Sequence, residues 1–572
     1  MTVITDIILY LNPGIWLILG GLLTTILPKV VSRSLSVALP IVLVGWLISL
    51  DLGQFGSISF LEYQLETFRL DSLSLIFGII FLIASFLGNL YALGDNVDRL
   101  QRAMALIYAG GAIAAVFAGD MITLFVFFEL AAVASVFLIW ARGTNRSYTA
   151  GMRYLVVQIG AGVILLAGIL IHITSTGSVS FTKLGLDAPG GLLILIAFGI
   201  KCAFPLLHNW LQDAYPEATI SGTVILSGFT TKLAVYALAR SYAGTDILIW
   251  IGAIMTAFPI FYAVIENDLR RVLAYSLNNQ LGFMVVGVGI GTEMALNGTI
   301  SHAFCHILYK ALLFMSMGAV LLRTGTCNGS DLGGLHKTMP WTTGFCIVGA
   351  ASISGFPLFS GFISKSMILT AAAGEGYWGI WLVLLFASAG VFHHSGIKIP
   401  YFAFFAHDRG LRPKEAPWPM LTAMAIAAAL CIVIGIYPAP LYAMLPFPVD
   451  YAPYTTYHVI NQLQLLMFSA LAFTVLMLTK VYPPELHSTN LDSDWFYRRF
   501  LKLLAIRSGS ILNYGYNIAC KGSLGILDEV ITCAKNLSSG KGLLARTPAI
   551  GNNIIWISAL LLLVLLISYT HH

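Results

Sequence analysis

The chain has 572 residues, 58% of them hydrophobic and 10% charged, with 31 basic against 26 acidic side chains and a formal charge of +5. Soluble domains carry about 25% charged residues, so this composition excludes an ordinary soluble protein and leaves a polytopic membrane protein. The small positive excess fits loop bias across a membrane rather than nucleic-acid binding. The seven cysteines form no CxxC pair, which speaks against zinc, iron–sulfur and disulfide frameworks.

Hydrophobic runs of about 20 residues mark membrane spans. They fall near 8–27, 35–50, 73–94, 102–119, 121–141, 149–173, 191–212, 219–240, 247–266, 270–290, 296–323, 342–370, 378–406, 419–438, 461–480 and 555–570, about sixteen in all. The first run is followed by further spans and so reads as a retained span, not a cleaved leader. Between the second and third, SISFLEYQLETFRLD alternates like a short surface hairpin. With the N-terminus outside, inner loops hold Lys29, Arg33, Arg99, Arg102, Arg142, Arg146, Arg270, Arg271, Arg323, Lys337, Arg409, Arg412 and Lys414. Outer loops hold only Arg69, Lys183 and Arg240, as the positive-inside rule expects of a bacterial-type cytoplasmic membrane protein. Residues 481–554 are polar, and helical spacing through 509–533 suggests an amphipathic helix at the inner interface. A soluble tail ending in one anchor is the plain alternative.

Four lysines, Lys201, Lys232, Lys310 and Lys365, lie inside these apolar runs, and Glu129 lies in FVFFELAAVASVFLIW. A charge at bilayer depth costs about 3 kcal/mol or more, so such residues face internal cavities and mark ion or proton paths. Lys201 precedes Pro205 by four residues, and Lys365 follows Pro357 by eight, with Gly355 and Gly361 nearby. Proline breaks helices, and broken helices at membrane depth line cavities and binding sites. The breaks fall in spans 7 and 12, which divides the centre into five-span units, spans 4–8 and 9–13, inverted relative to each other. The expected divisions are therefore 1–98, 99–240, 247–406, 407–480 and the extension 481–572.

Lys232 is mid-span beside Thr230 and Thr231, which are expected to hydrogen-bond it. His302, His306 and Lys310 recur every four residues and share one helix face, a credible proton wire. A metal is disfavoured, since no third ligand and no HExxH motif accompany the histidines. His208 shares the Lys201 face if that helix is continuous. Lys398 with His393 and His394 extends the wire toward one surface, or else snorkels. Asp213, Glu217 and Asp268 border the inner side as gates or loop anchors, and Asp120 is expected in outer solvent.

The segments FFELAAVASVF, KCAFPLLHNWLQDAYPEA, LSGFTTKLAVYALAR, NDLRRVLAYSLNNQLGFM, HAFCHILYKALLFMSMGAV and FPLFSGFISK, taken together, resemble the antiporter-like subunits of respiratory complex I, membrane-bound hydrogenases and Mrp-type Na⁺/H⁺ antiporters. They cover spans 4–12, about half the chain. The resemblance implies an all-α polytopic fold, a fourteen-span core with two inverted five-span repeats, and no bound cofactor. It implies that Glu129 and Lys201 are a first coupled pair. Lys232, His302, His306 and Lys310 then match a central hydrated axis, and Lys365 a distal lysine. Within the superfamily, DAYPEATISGTVILSGFTTKLAVYALAR looks most like the Mrp D-type subunit, with H⁺ and Na⁺ as transported ions and other membrane subunits as partners. LDSDWFYRR resembles extensions on some Mrp-type subunits, while Asn278–Asn279 depart from a usual Ser-rich stretch. The competing expectation is a proton-pumping subunit of a complex I-like oxidoreductase or membrane-bound hydrogenase. A scaffold whose lysines merely fix packing is the third.

Overall fold

The computed structural model describes residues 11–95, 97–406, 408–487, 490, 492–542 and 550–570. The N-terminus and the first three residues of the expected first span (8–10) lie outside this set, as do 488, 489, 491 and 543–549 of the polar stretch. The chain packs as two units, one up to Asn490 and one beyond it.

In the first unit the elements run α1 (Pro13–Ile26), α2 (Lys29–Ile48), β1 (Gly53–Phe60), β2 (Tyr63–Leu70), α3 (Ser72–Ala92), α4 (Arg99–Val116), α5 (Met121–Trp140) and α6 (Asn145–Thr176). There follow α7 (Gly191–Lys201), α8 (Asn209–Ala214), α9 (Ile220–Gly228), α10 (Thr230–Ser241), α11 (Ile247–Ile265), α12 (Leu269–Ile290) and α13 (Glu293–Thr324). The unit closes with α14 (Pro340–Ser354), α15 (Ser360–Gly374), α16 (Trp378–Phe405, with wide π-type turns near its end), α17 (Trp418–Ile436), α18 (Ala439–Ala443) and α19 (Thr456–Leu478). β1 and β2 form the expected antiparallel hairpin.

Helix starts follow from capping chemistry. Asp71, Asp98, Asp120, Thr144 and Asp268 each accept a bond from a backbone N–H two or three residues on, satisfying donors that a helix N-terminus leaves over. Asp120 is therefore not in solvent: it is 1% exposed, sealed by the bridge its backbone makes with Ser180. Burial pushes its carboxyl up from the ordinary value, against the bonds from Thr123.

Ten of the described helices are long and apolar enough to cross a membrane by length and composition. The remaining expected runs have physical reasons to fall short. α1 and the last apolar stretch (Asn552–Ser568) are brief, α4 and α12 carry arginines and amides, and α7/α8 and α14/α15 are each broken mid-run.

The two breaks carry closely similar tetrapeptides, Ala203-Phe204-Pro205-Leu206 and Gly355-Phe356-Pro357-Leu358. In both, the first and fourth residues are left-handed: φ is 63° and 69° in the first break, 72° and 75° in the second. A non-glycine residue pays about 1–2 kcal/mol there, and proline removes a backbone donor. Both features end the first half-helix and leave its last carbonyls without their helical partners.

Among the described residues, the loop pairs fall into two groups, one at each end of the helices. Asp120 bridges Ser180, and Arg240 bonds Asp71 at 2.8 Å, at one end. At the other, Asp268 bridges Asn328, Arg146 meets Glu217 at 2.9 Å, and Lys337 and Arg412 hold Asp408 at 2.6 and 2.8 Å. The hydrogen bonds from Arg412, then Lys337, hold the Asp408 carboxyl well below the usual carboxylate range. The second group, here termed the basic end, holds the arginine-rich loops.

In the second unit a wide turn at Phe496–Phe500 leads into α20 (Leu501–Ser538), longer than the helical pattern at 509–533, and α21 (Ile550–Thr570) supplies the last apolar segment.

Gly355 is the replaceable feature of the second break. A Cβ there would lie 3.3 Å from Gln462 Nε2 on a left-handed backbone. Gly355→Ala is expected to cost about 1–2 kcal/mol, read as a lowered midpoint of thermal unfolding in detergent.

A buried row of ionisable side chains as the candidate functional site

Lys201 is the last residue of α7, where the break turns the chain aside. Its ammonium is fully buried and donates to Glu129 Oε1 on α5 at 2.8 Å. Glu129 is 20% exposed, so the pair has one dry and one open partner. Gly162 on α6 makes room for the carboxylate, because a Cβ there would collide with it. The Phe128 ring lies 4.6 Å from the ammonium and adds a cation–π contact.

Lys232 is also fully buried. Phe229, between α9 and α10, has φ −109° and ψ −72°, away from helical values. That kink frees the Ser227 carbonyl, which accepts from Lys232 Nζ at 2.6 Å. The neighbouring threonines do not serve it. Thr230 pairs with the Tyr108 hydroxyl at 2.7 Å, and the Thr231 hydroxyl has no protein partner among the described residues.

On α13, His302, His306 and Lys310 are all fully buried on one face. His302 Nδ1 lies 3.0 Å from Ser364 Oγ on α15. Tyr309 donates to Gln280 Oε1 at 3.2 Å, and its ring packs 5.3 Å from that of His306. Both His306 nitrogens, Lys310 Nζ and the Asn278 amide have no protein hydrogen-bond partner among the described residues. Buried polar atoms of this kind are ordinarily met by ordered water. Lys310 lies within reach of the Lys232 charge, and His306 within reach of those of Lys232, Lys310 and Lys365. Asn279 donates to the Thr256 carbonyl of α11.

Lys365 on α15 donates to the Ile353 carbonyl at 2.9 Å, a group freed where α14 ends. The Phe283 ring lies 5.3 Å from its nitrogen. Lys365 thus repeats the arrangement at Lys232: an ammonium seated on a carbonyl that a helix break has released.

Lys398 does not snorkel. It is 1% exposed and caps α11, donating to Val264 O and Glu266 O at 2.6 Å each and Ala263 O at 3.3 Å. His394, not His393, faces inward. His394 is fully buried within reach of the charges of Lys310, Lys365 and Lys398. His394 Nδ1 lies 2.8 Å from Ser395 Oγ, which donates to Ser276 Oγ at 2.8 Å. His393 packs against Phe473 and Tyr482, with ring centroids 5.1 and 5.5 Å away. Adjacent residues on a helix point about 100° apart, so only one of such a pair can join the row.

His208 does not share the Lys201 face, because the helix is not continuous. It begins α8, with its ring 4.6 Å from that of Phe258. Asp213 forms a two-point ion pair with Arg153 of α6, at 2.6 and 2.9 Å, which anchors α8. Glu217 meets Arg142 and Arg146 at 3.5 and 2.9 Å, and Arg270 donates to the Ala218 carbonyl at 3.0 Å, so this end of the site is fastened by loop contacts.

Residues 118–392, which hold every member of the row except Lys398 and His394, match the family described as NADH:quinone oxidoreductase/Mrp antiporter, TM. The chain is 28% identical to hydrogenase-4 component B of Escherichia coli over 66% of this chain and 63% of that one. It is 31% identical to the D subunit of the Na(+)/H(+) antiporter of Alkalihalophilus pseudofirmus, over 57% and 70%. It is 33% identical to the N subunit of the NADH-quinone oxidoreductase of Desulforudis audaxviator, over 59% and 74%. Among solved structures, the membrane-bound sulfane sulfur reductase, an archaeal respiratory membrane complex, holds a chain that superposes with a TM-score of 0.70 at 22% identity, covering 97% of this chain and 99% of that one. The Mrp complex from Dietzia sp. DQ12-45-1b holds another, at 0.66 and 22%, covering 76% and 96%. At that identity these two share the fold.

Lys398 is the member whose loss is structural on this geometry. Lys398→Ala strips the end of α11 of three charge-assisted bonds and is expected to cost about 3 kcal/mol or more. Thermal unfolding of the purified variant reads this directly.

Proposed function

We propose, from the premise that this multi-span membrane protein belongs to the NADH:quinone oxidoreductase/Mrp antiporter transmembrane family, that it is the proton-translocating subunit of a multisubunit Mrp-type Na⁺/H⁺ antiporter. The observation that carries the reading is the 2.8 Å pair of buried Lys201 with partly open Glu129, set on a broken helix. Lys232, His306, Lys310, His302 and Lys365 extend it through the interior.

The physics of the pair is a charge account. A buried ammonium is tolerable beside a carboxylate and costs several kcal/mol once that charge is removed. Protonating Glu129, or drawing it away, makes Lys201 give up its proton. The proton then finds His306 and Lys310, whose polar atoms are left to water. Each occupied site raises the electrostatic cost of the next, so the row titrates as one system. Lys365 stands at the far side of the row, on the half-helix that runs on from the second break. Each charge moved across the membrane exchanges about 2.3 kcal/mol per 100 mV with the field. In this reading the basic end faces the cytoplasm of a bacterial-type inner membrane, the N-terminus lies outside, and spans 4–8 and 9–13 are inverted repeats. The antiporter relative from A. pseudofirmus supports Na⁺ as the exchanged ion, and companion membrane subunits supply its path.

A second reading is a proton-pumping subunit of a redox-driven complex. It draws on the hydrogenase-4 and NADH-quinone oxidoreductase relatives. It also draws on the sulfane sulfur reductase chain, whose fold accounts for nearly the whole length, extension included. In both readings this chain's buried row moves the proton; the driving partner differs.

Glu129→Gln and Lys201→Ala are expected to abolish cation-dependent pH changes in inverted vesicles while the chain still inserts and assembles. Full activity in either variant removes the pair from the mechanism. If pH changes follow added NADH or another electron donor and ignore Na⁺, the second reading holds.

A further inference from the structure

Lys365 is reached from one side by a gap between the α14/α15 break and the N-terminal turns of α19. Lys365, Ser366, Gly355, Gly361, Gln462 and His458 line it. Its volume is about 10 Å³, near the room of a single water. Gly355 and Gly361 keep it open, since a Cβ on Gly355 would press on Gln462 and one on Gly361 would collide with the Ser352 carbonyl.

His458 is the half-buried titratable group on the α19 wall of this gap. Its Nδ1 lies 2.7 Å from the Pro453 carbonyl. A carbonyl only accepts, so Nδ1 carries the proton and Nε2 is left with its lone pair. Phe362 stacks on the ring at 4.5 Å and 14°, which fixes its plane beside the helix that carries Lys365. Gln462 donates to the Ser354 carbonyl at 3.3 Å, so the amide ties α19 to the break. The groups around His458 are Lys365 from α15 and Tyr454 from the preceding loop. The Tyr454 hydroxyl is held by the Gly435 carbonyl and accepts from Leu358 N–H at 3.3 Å. Lys365 is therefore the charged neighbour across the gap. The loop before α19 meets Asn297 near the start of α13, the end opposite the basic loops, and His458 lies one turn nearer that loop than Gln462, which meets the break beside Lys365.

We propose that His458 is the outlet of the row: it takes the proton of Lys365 at Nε2, through one water in the gap, and releases it to the aqueous phase at the end opposite the basic loops. The inference rests on the proton-relay reading above. The step breaks an N–H bond of the Lys365 ammonium and forms one at Nε2, giving neutral Lys365 and a His458 imidazolium. Loss of a proton to bulk water restores the imidazole.

The test uses membrane vesicles holding the full-length chain in its intact assembly, with His458→Gln, His458→Ala and Lys365→Ala. Both His458 variants are expected to move protons about tenfold more slowly or worse. They should also lose the imidazole inflection from the pH–rate profile. Added imidazole should restore His458→Ala and leave Lys365→Ala inactive. Wild-type rates and pH profile in both His458 variants, with Lys365→Ala inactive, overturn the outlet and spare the relay. A slowed His458→Ala with an unchanged pH profile and no imidazole rescue also overturns it, assigning His458 to packing alone. An active Lys365→Ala defeats the relay itself.

Discussion

The cost of holding an ammonium group away from water governs the interior of this protein. An unpaired buried charge is several kcal/mol uphill, so each lysine needs an acceptor, and the fold supplies acceptors by interrupting helices. Lys201 ends a half-helix and meets a carboxylate from a neighbouring span. Lys232 takes the carbonyl released by the kink at Phe229, Lys365 that released where α14 stops, and Lys398 the carbonyls at the end of α11. Lys310 departs from the pattern, with no protein acceptor among the described residues. His306, one turn earlier on the same helix, has both ring nitrogens left over in the same way, as has the Asn278 amide. The row is thus anchored at its flanks by protein and left to water at its middle.

This arrangement links fold to dynamics. A lysine held by one carbonyl or one carboxylate depends on that single contact, so opening it makes the ammonium costly and drives it to give up its proton. Left-handed Leu358 stores strain at the break that frees the Lys365 acceptor, and Ala203 and Leu206 store it beside Lys201. A small shift of either break changes which group the ammonium can reach, and so whether it stays charged. Lys398, with three acceptors, is fixed by comparison.

Much of this was legible from residue types alone. Ten of the sixteen expected spans, the hairpin and both helix breaks follow from hydropathy, alternation and proline. The stacking of His302, His306 and Lys310 follows from their spacing. What could not be read was the choice of acceptor. A backbone carbonyl has no residue code, so Thr230 and Thr231 looked like partners of Lys232 when a freed carbonyl serves it. For the same reason Lys398 read as a snorkelling side chain. Asp120 looked solvated because sequence shows a span border and not the neighbouring loop that covers it. The choice between His393 and His394 depends on helix phase near a wide turn, which period counting does not resolve. The Phe-Pro-Leu motif shared by the two breaks was present in the letters all along, and its matching backbone signature gives it meaning.

The central claim is that the buried cations are joined by internal water. The most direct measurement is a density map of the intact assembly, at a resolution that shows ordered solvent. The account predicts waters bonded to His306, Lys310 and Asn278 and continuing toward Lys232 and Lys365. Dry apolar packing between Lys310 and its neighbours, with no solvent density along the row, would contradict it.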